Sequence, residues 1–271
     1  MNSGRKTPNV EKPSNIDDFI AWARETLEAD FSLNGKTAVF NRIRTAYSYV
    51  VENPFFEGLS RLLSELQERI RQDCSYELLM LVPTDMRNVL KTKSFESVVN
   101  KAYRENVLSN QRFPEPPGEN WVTPSNLFSE FSDLIRCQLV CRYKDGPQLL
   151  AQELKSFADQ CGLKSRVKAL GRDVGYYAYH FFVEVPVEFT EGKEHVEVEI
   201  QLTTQLQDVL YDITHQLYEK RRLQAGMDAD WKWDIESNQF KASYLAHSLH
   251  FMEAVIVELR NQTTTETGEP E

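Results

Sequence analysis

Residues 195–203 read HVEVEIQLT, and their alternation decides the fold. Val196, Val198, Ile200 and Leu202 face one way and Glu197, Glu199, Gln201 and Thr203 the other, the period of a strand with one apolar and one polar side. The run before it, 181–189 (FFVEVPVEF), reads as a second strand, and Thr190-Glu191-Gly192-Lys193 between them suits a hairpin. Residues 204–223 then carry Leu206, Val209, Leu210, Ile213 and Leu217 at helical spacing. A hairpin followed by an amphipathic helix predicts a sheet with helices packed on it.

Further strands and helices alternate upstream. DLIRCQLVCRY at 133–143 predicts a strand over 134–143, and 147–161 an amphipathic helix through Leu149, Leu150, Leu154, Phe157 and Ala158. A first strand is expected over 86–91 and a helix over 95–105, with Val98, Val99, Ala102 and Tyr103 on one side. The proline-rich loop 110–124 is long enough to serve as a lid or a subunit contact. Residues 16–73 show helical periodicity, broken at Asn34-Gly35 and Asn53-Pro54, and a last helix is expected over 239–260. The fold class is α+β: a mixed sheet flanked by helices, with N- and C-terminal helical extensions. The expected divisions are a disordered 1–15, a helical extension 16–74, a main domain 75–225, a helical region 226–260 and a disordered tail 261–271.

At 271 residues with 41% hydrophobic and 27% charged residues, the composition is that of a globular protein, and no apolar run is long enough to span a bilayer. The polar first residues lack the apolar stretch of a signal peptide, so a cytoplasmic protein is expected. Cys74, Cys137, Cys141 and Cys161 form no CxxC pair and sit among apolar neighbours, which predicts free thiols. A net charge of −10 argues against a broad grip on nucleic-acid phosphates, so any phosphate site must be a local basic pocket.

Four short elements supply groups for chemistry. KTKSFESVVNK (91–101) gathers Lys91, Lys93, Ser94, Ser97 and Lys101 at a strand-to-helix junction, where ammonium groups and a helix N-terminus suit a polyphosphate. A solvated lysine pair followed by a serine cap is the plainer reading. Asp133 opens a strand on which Arg136 follows, so a metal can reach the carboxylate, or the aspartate caps a turn. Glu197, Glu199 and Gln201 line one strand face, as a solvated surface or as the second carboxylate of a Mg²⁺ site. Gly175-Tyr176-Tyr177-Ala178-Tyr179-His180 is a glycine-led aromatic loop whose rings either stack on a nucleobase or pack inside.

Together these elements resemble, in order and spacing, the synthetase domain of RelA/SpoT-type alarmone synthetases. KTKSFESVVNK is similar to the family's ATP motif R-x-K-S-x-x-S-x-x-x-K, with Lys91 in place of the arginine. Asp133 matches the metal-binding aspartate of D-x-x-x-x-R, and Gly175, Tyr176 and His180 match G-Y-x-x-x-H. Glu199, Ile200, Gln201 and Thr204 match E-I-Q-x-R-T, while His215 and Tyr218 fit the histidine and tyrosine of the following helix. The resemblance covers about residues 75–222 and implies a nucleotidyltransferase-like fold that moves the β,γ-pyrophosphate of ATP onto the 3′-hydroxyl of GDP or GTP. It implies that Asp133 and Glu199 hold Mg²⁺, with Glu199 helping to deprotonate the attacking hydroxyl. Lys91, Lys93, Ser94, Ser97 and Lys101 would bind ATP, and Tyr176, His180 and Gln201 the acceptor nucleotide.

Two family arginines are replaced, by Gln138 and Thr203, and Arg136 on the strand face of Gln138 is a candidate to supply the lost charge. No HD-type pair marks a hydrolase domain, so the chain resembles the small, synthetase-only members. Two alternatives stay open: a toxin that pyrophosphorylates the CCA end of tRNA, with Lys220, Arg221 and Arg222 as its basic patch, and a catalytically silent nucleotide-binding module. Phe251, Met252, Val255 and Ile256 on the last helix, with the resemblance to often tetrameric small members, predict a homo-oligomer. A shared Mg²⁺ would bring the Asp133 and Glu199 carboxylates within about 5 Å, and without metal would raise the pKa of at least one.

Overall fold

The computed structural model describes residues 11–173, 175–222 and 231–266, and of 215–222 and 264–266 only the backbone. Three helices come first: α1 (Ile16–Leu27), α2 (Lys36–Val51) and α3 (Pro54–Cys74). Asn15 caps α1 by accepting from the Asp18 N–H, and Asn53 caps α3 by accepting from Phe55 N–H, with Pro54 at the first helical position where its missing donor costs nothing. Residues 11–15, expected to be disordered, include this cap, and the Pro13 carbonyl accepts from the Tyr103 hydroxyl. Residues 1–10 lie outside the described residues.

The strand expected over 86–91 is a 3₁₀ turn, Met86–Asn88, because the Asp85 side chain caps it at Arg87 N–H and Leu90 N–H bonds Met86 C=O. Only β1 (Lys91–Thr92) is extended. Helix α4 (Phe95–Tyr103) follows and ends in a π turn, Arg104–Leu108. The long loop is clamped rather than free: Asn106 exchanges two hydrogen bonds with the Val122 backbone, and Trp121 and Phe113 pack on Trp22 of α1. Then come α5 (Leu127–Glu130), β2 (Ile135–Cys141), α6 (Gly146–Gln160), β3 (Ser165–Gly171), β4 (Tyr177–Phe189), β5 (Gly192–Thr204), α7 (Gln205–Arg222) and α8 (Asn238–Glu266). Helix α8 runs past residue 260, so 261–266, expected in a disordered tail, are helical.

The five strands lie in the order β1-β2-β5-β4-β3; β2 and β5 are parallel and the other neighbours antiparallel. This is the expected mixed sheet with flanking helices. Register fixes the two faces, because paired residues on adjacent strands share a side. Cys137, Ile200 and Phe181 form one fully covered row. There Phe181 stacks on Phe55 of α3, which also meets Phe157 of α6. The helices thus cover one face and leave the other for polar groups. No helix among the described residues is long and apolar enough to cross a membrane, and all four cysteines are free.

Helix α8 is seated on the turn before β4. Gly175 has φ +83°, and a Cβ there would lie 2.3 Å from the Ala246 Cβ. Ser243 and His247 also bond the Asp173 carbonyl. Gly175→Ala is therefore expected to destabilise the protein by on the order of 2 kcal/mol, through left-handed strain and overpacking together. Urea denaturation checks this; an unchanged midpoint would contradict the seating of α8.

Candidate active site

Register places polar residues of all five strands side by side on the open face. One row runs Lys91, Arg136, Glu199, Phe182 and Arg166, and the next runs Gln138, Gln201, His180 and Lys168. Arg136, Glu199, Gln201 and His180, separated by up to 65 residues in sequence, therefore share one patch of sheet.

Glu199 is 5% exposed and His180 9%, so both need partners. Glu199 Oε1 bonds His180 Nδ1, and Oε2 accepts from Gln201 Nε2 at 3.1 Å. An ionised carboxylate can only accept, so Nδ1 carries the imidazole proton, and Nε2 accepts from the Tyr176 hydroxyl at 2.8 Å. Tyr176, His180 and Glu199 thus form a connected chain. Burial, with Tyr211 and Glu199 nearby, pushes the Tyr176 phenol well above its ordinary value. The Tyr176 ring is half-buried, edge-on to His180 and tilted against Tyr211, with the Arg172 guanidinium 5.6 Å from its centroid. The aromatic loop is thus partly internal packing, and β4 begins within it at Tyr177.

At the β1–α4 junction Ser94 caps α4: its hydroxyl oxygen accepts from Ser97 N–H at 3.2 Å and bonds the Ser97 hydroxyl at 2.9 Å. Lys91 is exposed on β1. Lys93 Nζ and Lys101 Nζ each lie 2.7 Å from a different oxygen of Asp133, which sits in the turn before β2. Burial alone would raise the Asp133 pKa, but Lys101 and Lys93 outweigh it and hold the carboxyl well below its usual range. Burial lowers the pKa of Lys93, with Asp133 opposing and Arg136 and Lys101 adding repulsion. The raised pKa expected of paired carboxylates is thus not found at Asp133. Its charge is balanced by two ammonium groups, whereas Glu199 is engaged by His180 and Gln201.

Among the described residues no cluster of three or more His, Cys, Asp or Glu is placed to hold a metal. Mg²⁺ takes one or two protein carboxylates and leaves its remaining positions to water and phosphate, so the Asp133 and Glu199 donor set suits it if Asp133 gives up a lysine. The polyphosphate of a nucleotide is a fitting recipient for that lysine.

Arg136 is half-buried beside Glu199, yet its guanidinium makes no ion pair among the described residues. Gln138 is held by Asp208 through a 2.8 Å bond, and Thr203 is buried. A cation on this face without a carboxylate partner is free to take an anionic ligand. Arg136→Ala is expected to weaken the binding of a polyphosphate to this face about tenfold, the loss of one charge-assisted contact. Titration calorimetry with a non-hydrolysable ATP analogue checks this, and unchanged affinity would remove Arg136 from the site.

Sequence reasoning missed β3. Its seven residues sit on the sheet edge and mostly face solvent, so no apolar alternation marks the strand. Its basic residues gave the available signal: Arg166 and Lys168, two apart, share the site face with Phe182 and His180. Arg166 binds both oxygens of Glu197 at 2.7 Å and covers the Phe182 ring at 3.7 Å. Glu197 is therefore an ion-pair partner rather than part of the acidic pair. The side chains of His215, Tyr218, Lys220, Arg221 and Arg222 lie outside the described residues.

No protein-family model matches the chain. A segment of 131 residues, 48% of the chain and 56% of the relative, is 25% identical to the GTP pyrophosphokinase YwaC of Bacillus subtilis. Another alignment of 162 residues, 56% of the chain and 69% of the relative, is 24% identical to the GTP pyrophosphokinase YjbM of the same organism. The first match therefore spans little more than half of that relative's length. Among solved structures, small alarmone synthetase 1 from Bacillus subtilis bound to its product pppGpp has the same fold, with a TM-score of 0.53 and 19% identity. That likeness covers 83% of this chain and 97% of the other.

Proposed function

We propose, from the premise that the chain is a RelA/SpoT-type small synthetase, that it transfers the β,γ-pyrophosphate of ATP to the 3′-hydroxyl of GDP or GTP. The observation that carries this reading is the alignment of Lys91, Arg136 and Glu199 across three adjacent strands of one open face. A buried carboxylate held in one orientation lies next to a cation without an ion-pair partner among the described residues, which suits a hydroxyl nucleophile next to a polyphosphate.

In this reading Lys91, Lys93, Lys101, Arg136 and the capped N-terminus of α4, with Ser94 and Ser97, receive the ATP phosphates. Lys93 and Lys101 move part of their interaction from Asp133 to the phosphates. Asp133 and Glu199 would hold Mg²⁺, which would neutralise phosphate charge when bound. Glu199, oriented by His180 and Gln201, accepts the 3′-hydroxyl proton as the new O–P bond forms at the β-phosphorus. The bond between the bridging oxygen and that phosphorus breaks, and AMP leaves. Tyr176, His180 and Gln201 border the acceptor, with Arg172 and Lys168 close enough on the sheet edge to face its phosphates. The reaction needs no covalent enzyme intermediate, and a cytoplasmic setting fits its nucleotide substrates and the four free thiols.

The acceptor is tested by incubating the pure protein with labelled ATP, Mg²⁺ and, in parallel, GDP, GTP, AMP or bulk tRNA. Labelled GDP or GTP product is expected. Label in tRNA would favour the CCA-end reading, and label in none would favour the silent module.

A homo-oligomer belongs to the same proposal. Phe251, Met252, Ile256 and Leu259 of α8 are 43–69% exposed, and α8 spreads its apolar residues around its axis rather than along one stripe. Light scattering at micromolar concentration is expected to give a multiple of 31.5 kDa. A monomer mass would contradict this assembly.

A further inference from the structure

A cavity of about 540 Å³ lies on the other side of β4 from Glu199, between the sheet, the start of α6 and helix α8. Tyr177 and Tyr179, which line it, flank Ala178 on β4 and by alternation point away from the His180 side. Its volume falls within the range of small-molecule sites.

One corner is built for an anion. Lys144 makes no hydrogen bond or ion pair among the described residues, although the neighbouring Asp145 takes both of its oxygens to Arg260. Helix α6, 15 residues long, begins beside it at Gly146, whose N–H already bonds the Tyr143 carbonyl, and Pro147 has no N–H, so Lys144 is the corner's charged donor. The remaining wall is flat and largely apolar. The Tyr177 ring stacks on His250 with centroids 3.5 Å apart and planes 6° from parallel, and Leu170, Ala254 and Val257 complete the lining.

Three carboxylates, Asp145, Glu253 and Glu258, share the lining with Lys144. Glu253 is buried, and its carboxylate already accepts from the Thr204 hydroxyl and the Gln207 amide. Burial raises its pKa, and Lys144 opposes that rise. His250 is pushed down to about 4, by burial first and then by Lys144 and His247, so it is neutral at pH 7. Glu258 is exposed at the rim.

We propose that this cavity is a second small-molecule site, separate from the Glu199 face, for a planar ring system bearing one phosphate or carboxylate. Lys144 takes the anion, and the ring lies along the wall formed by Tyr177, His250 and Val257. Because α8 forms one wall and also seats on the turn before β4, an occupant would couple α8 to the strand that carries His180.

Calorimetric titration of the full chain with AMP, indole-3-acetate and inorganic phosphate tests the proposal and separates the two anion sources. At least one aromatic anion is expected to bind saturably, and inorganic phosphate more weakly. Lys144→Ala should weaken that binding about tenfold, Val257→Trp should abolish it by filling the cavity, and Lys93→Ala, on the other face, should leave it intact. If Val257→Trp does not fold, Lys144→Ala decides, since Lys144 holds no hydrogen-bond or ion-pair partner among the described residues. Three results would overturn the site: no saturable binding by any probe, binding insensitive to Lys144→Ala, or binding lost in Lys93→Ala. None of them bears on pyrophosphate transfer, which is measured separately.

Discussion

Glu199→Gln is expected to slow pyrophosphate transfer by about 10²–10⁴-fold, the range for loss of a positioned general base. The amide keeps the shape of the side chain and still accepts from His180 Nδ1, so the fold and the His180–Tyr176 link should persist. The ability to take a proton, the negative charge beside Arg136 and the acceptor for Gln201 Nε2 are removed. The checks are the rate of AMP release in the presence of GDP and the thermal midpoint of the variant. A midpoint near that of the parent with a collapsed rate supports the assignment. A rate within a fewfold of the parent would remove Glu199 from the chemistry.

Asp133→Asn should be costly in two ways. The side chains of Asp133, Lys93 and Lys101 are only 12–18% exposed, so removing the carboxylate charge leaves two ammonium groups close together in a poorly hydrated site. Breaking such an arrangement is expected to cost about 2 kcal/mol or more, and to remove the group proposed to ligate Mg²⁺. The pH dependence has a definite sign. The folded-state pKa of Asp133 lies below its ordinary 3.8. Its contribution is therefore fully present above that value and is lost as pH falls through the depressed folded value. The stability difference between parent and Asn variant should be constant from about pH 7 to 5 and narrow below 3.8, as denaturant titrations at several pH values would measure. A difference that is absent at pH 7 would show that the two lysines do not depend on Asp133.

Where side-chain periodicity was strong, the fold was legible in the sequence. The alternation of 195–203, the apolar run 181–189 and the stripe of 147–161 correspond to β5, β4 and α6 within a few residues. The edge strand β3 was not legible, since its exposed residues carry no apolar face. Nor was the 3₁₀ turn at Met86–Asn88, where a local aspartate cap overrides an extended preference. For the candidate site, motif spacing singled out Asp133, Lys93, Lys101, His180 and Glu199, but not how they connect. That Lys93 and Lys101 both bind Asp133, and that His180 links Tyr176 to Glu199, follows from pairings across 40, 32, 4 and 19 positions set by helix packing and register. The missed cations Arg166 and Lys168 depended on knowing that β3 exists.

The central claim, that the Glu199 face transfers pyrophosphate rather than a single phosphoryl group, is tested most directly by identifying both products of one reaction. The pure protein is incubated with Mg²⁺, ATP and GDP, and the nucleotides are separated by ion-exchange chromatography. The account predicts AMP in equimolar amount with a guanosine nucleotide carrying two additional phosphates on its 3′-oxygen. Formation of ADP, or no turnover at all with GDP and with GTP, would contradict it.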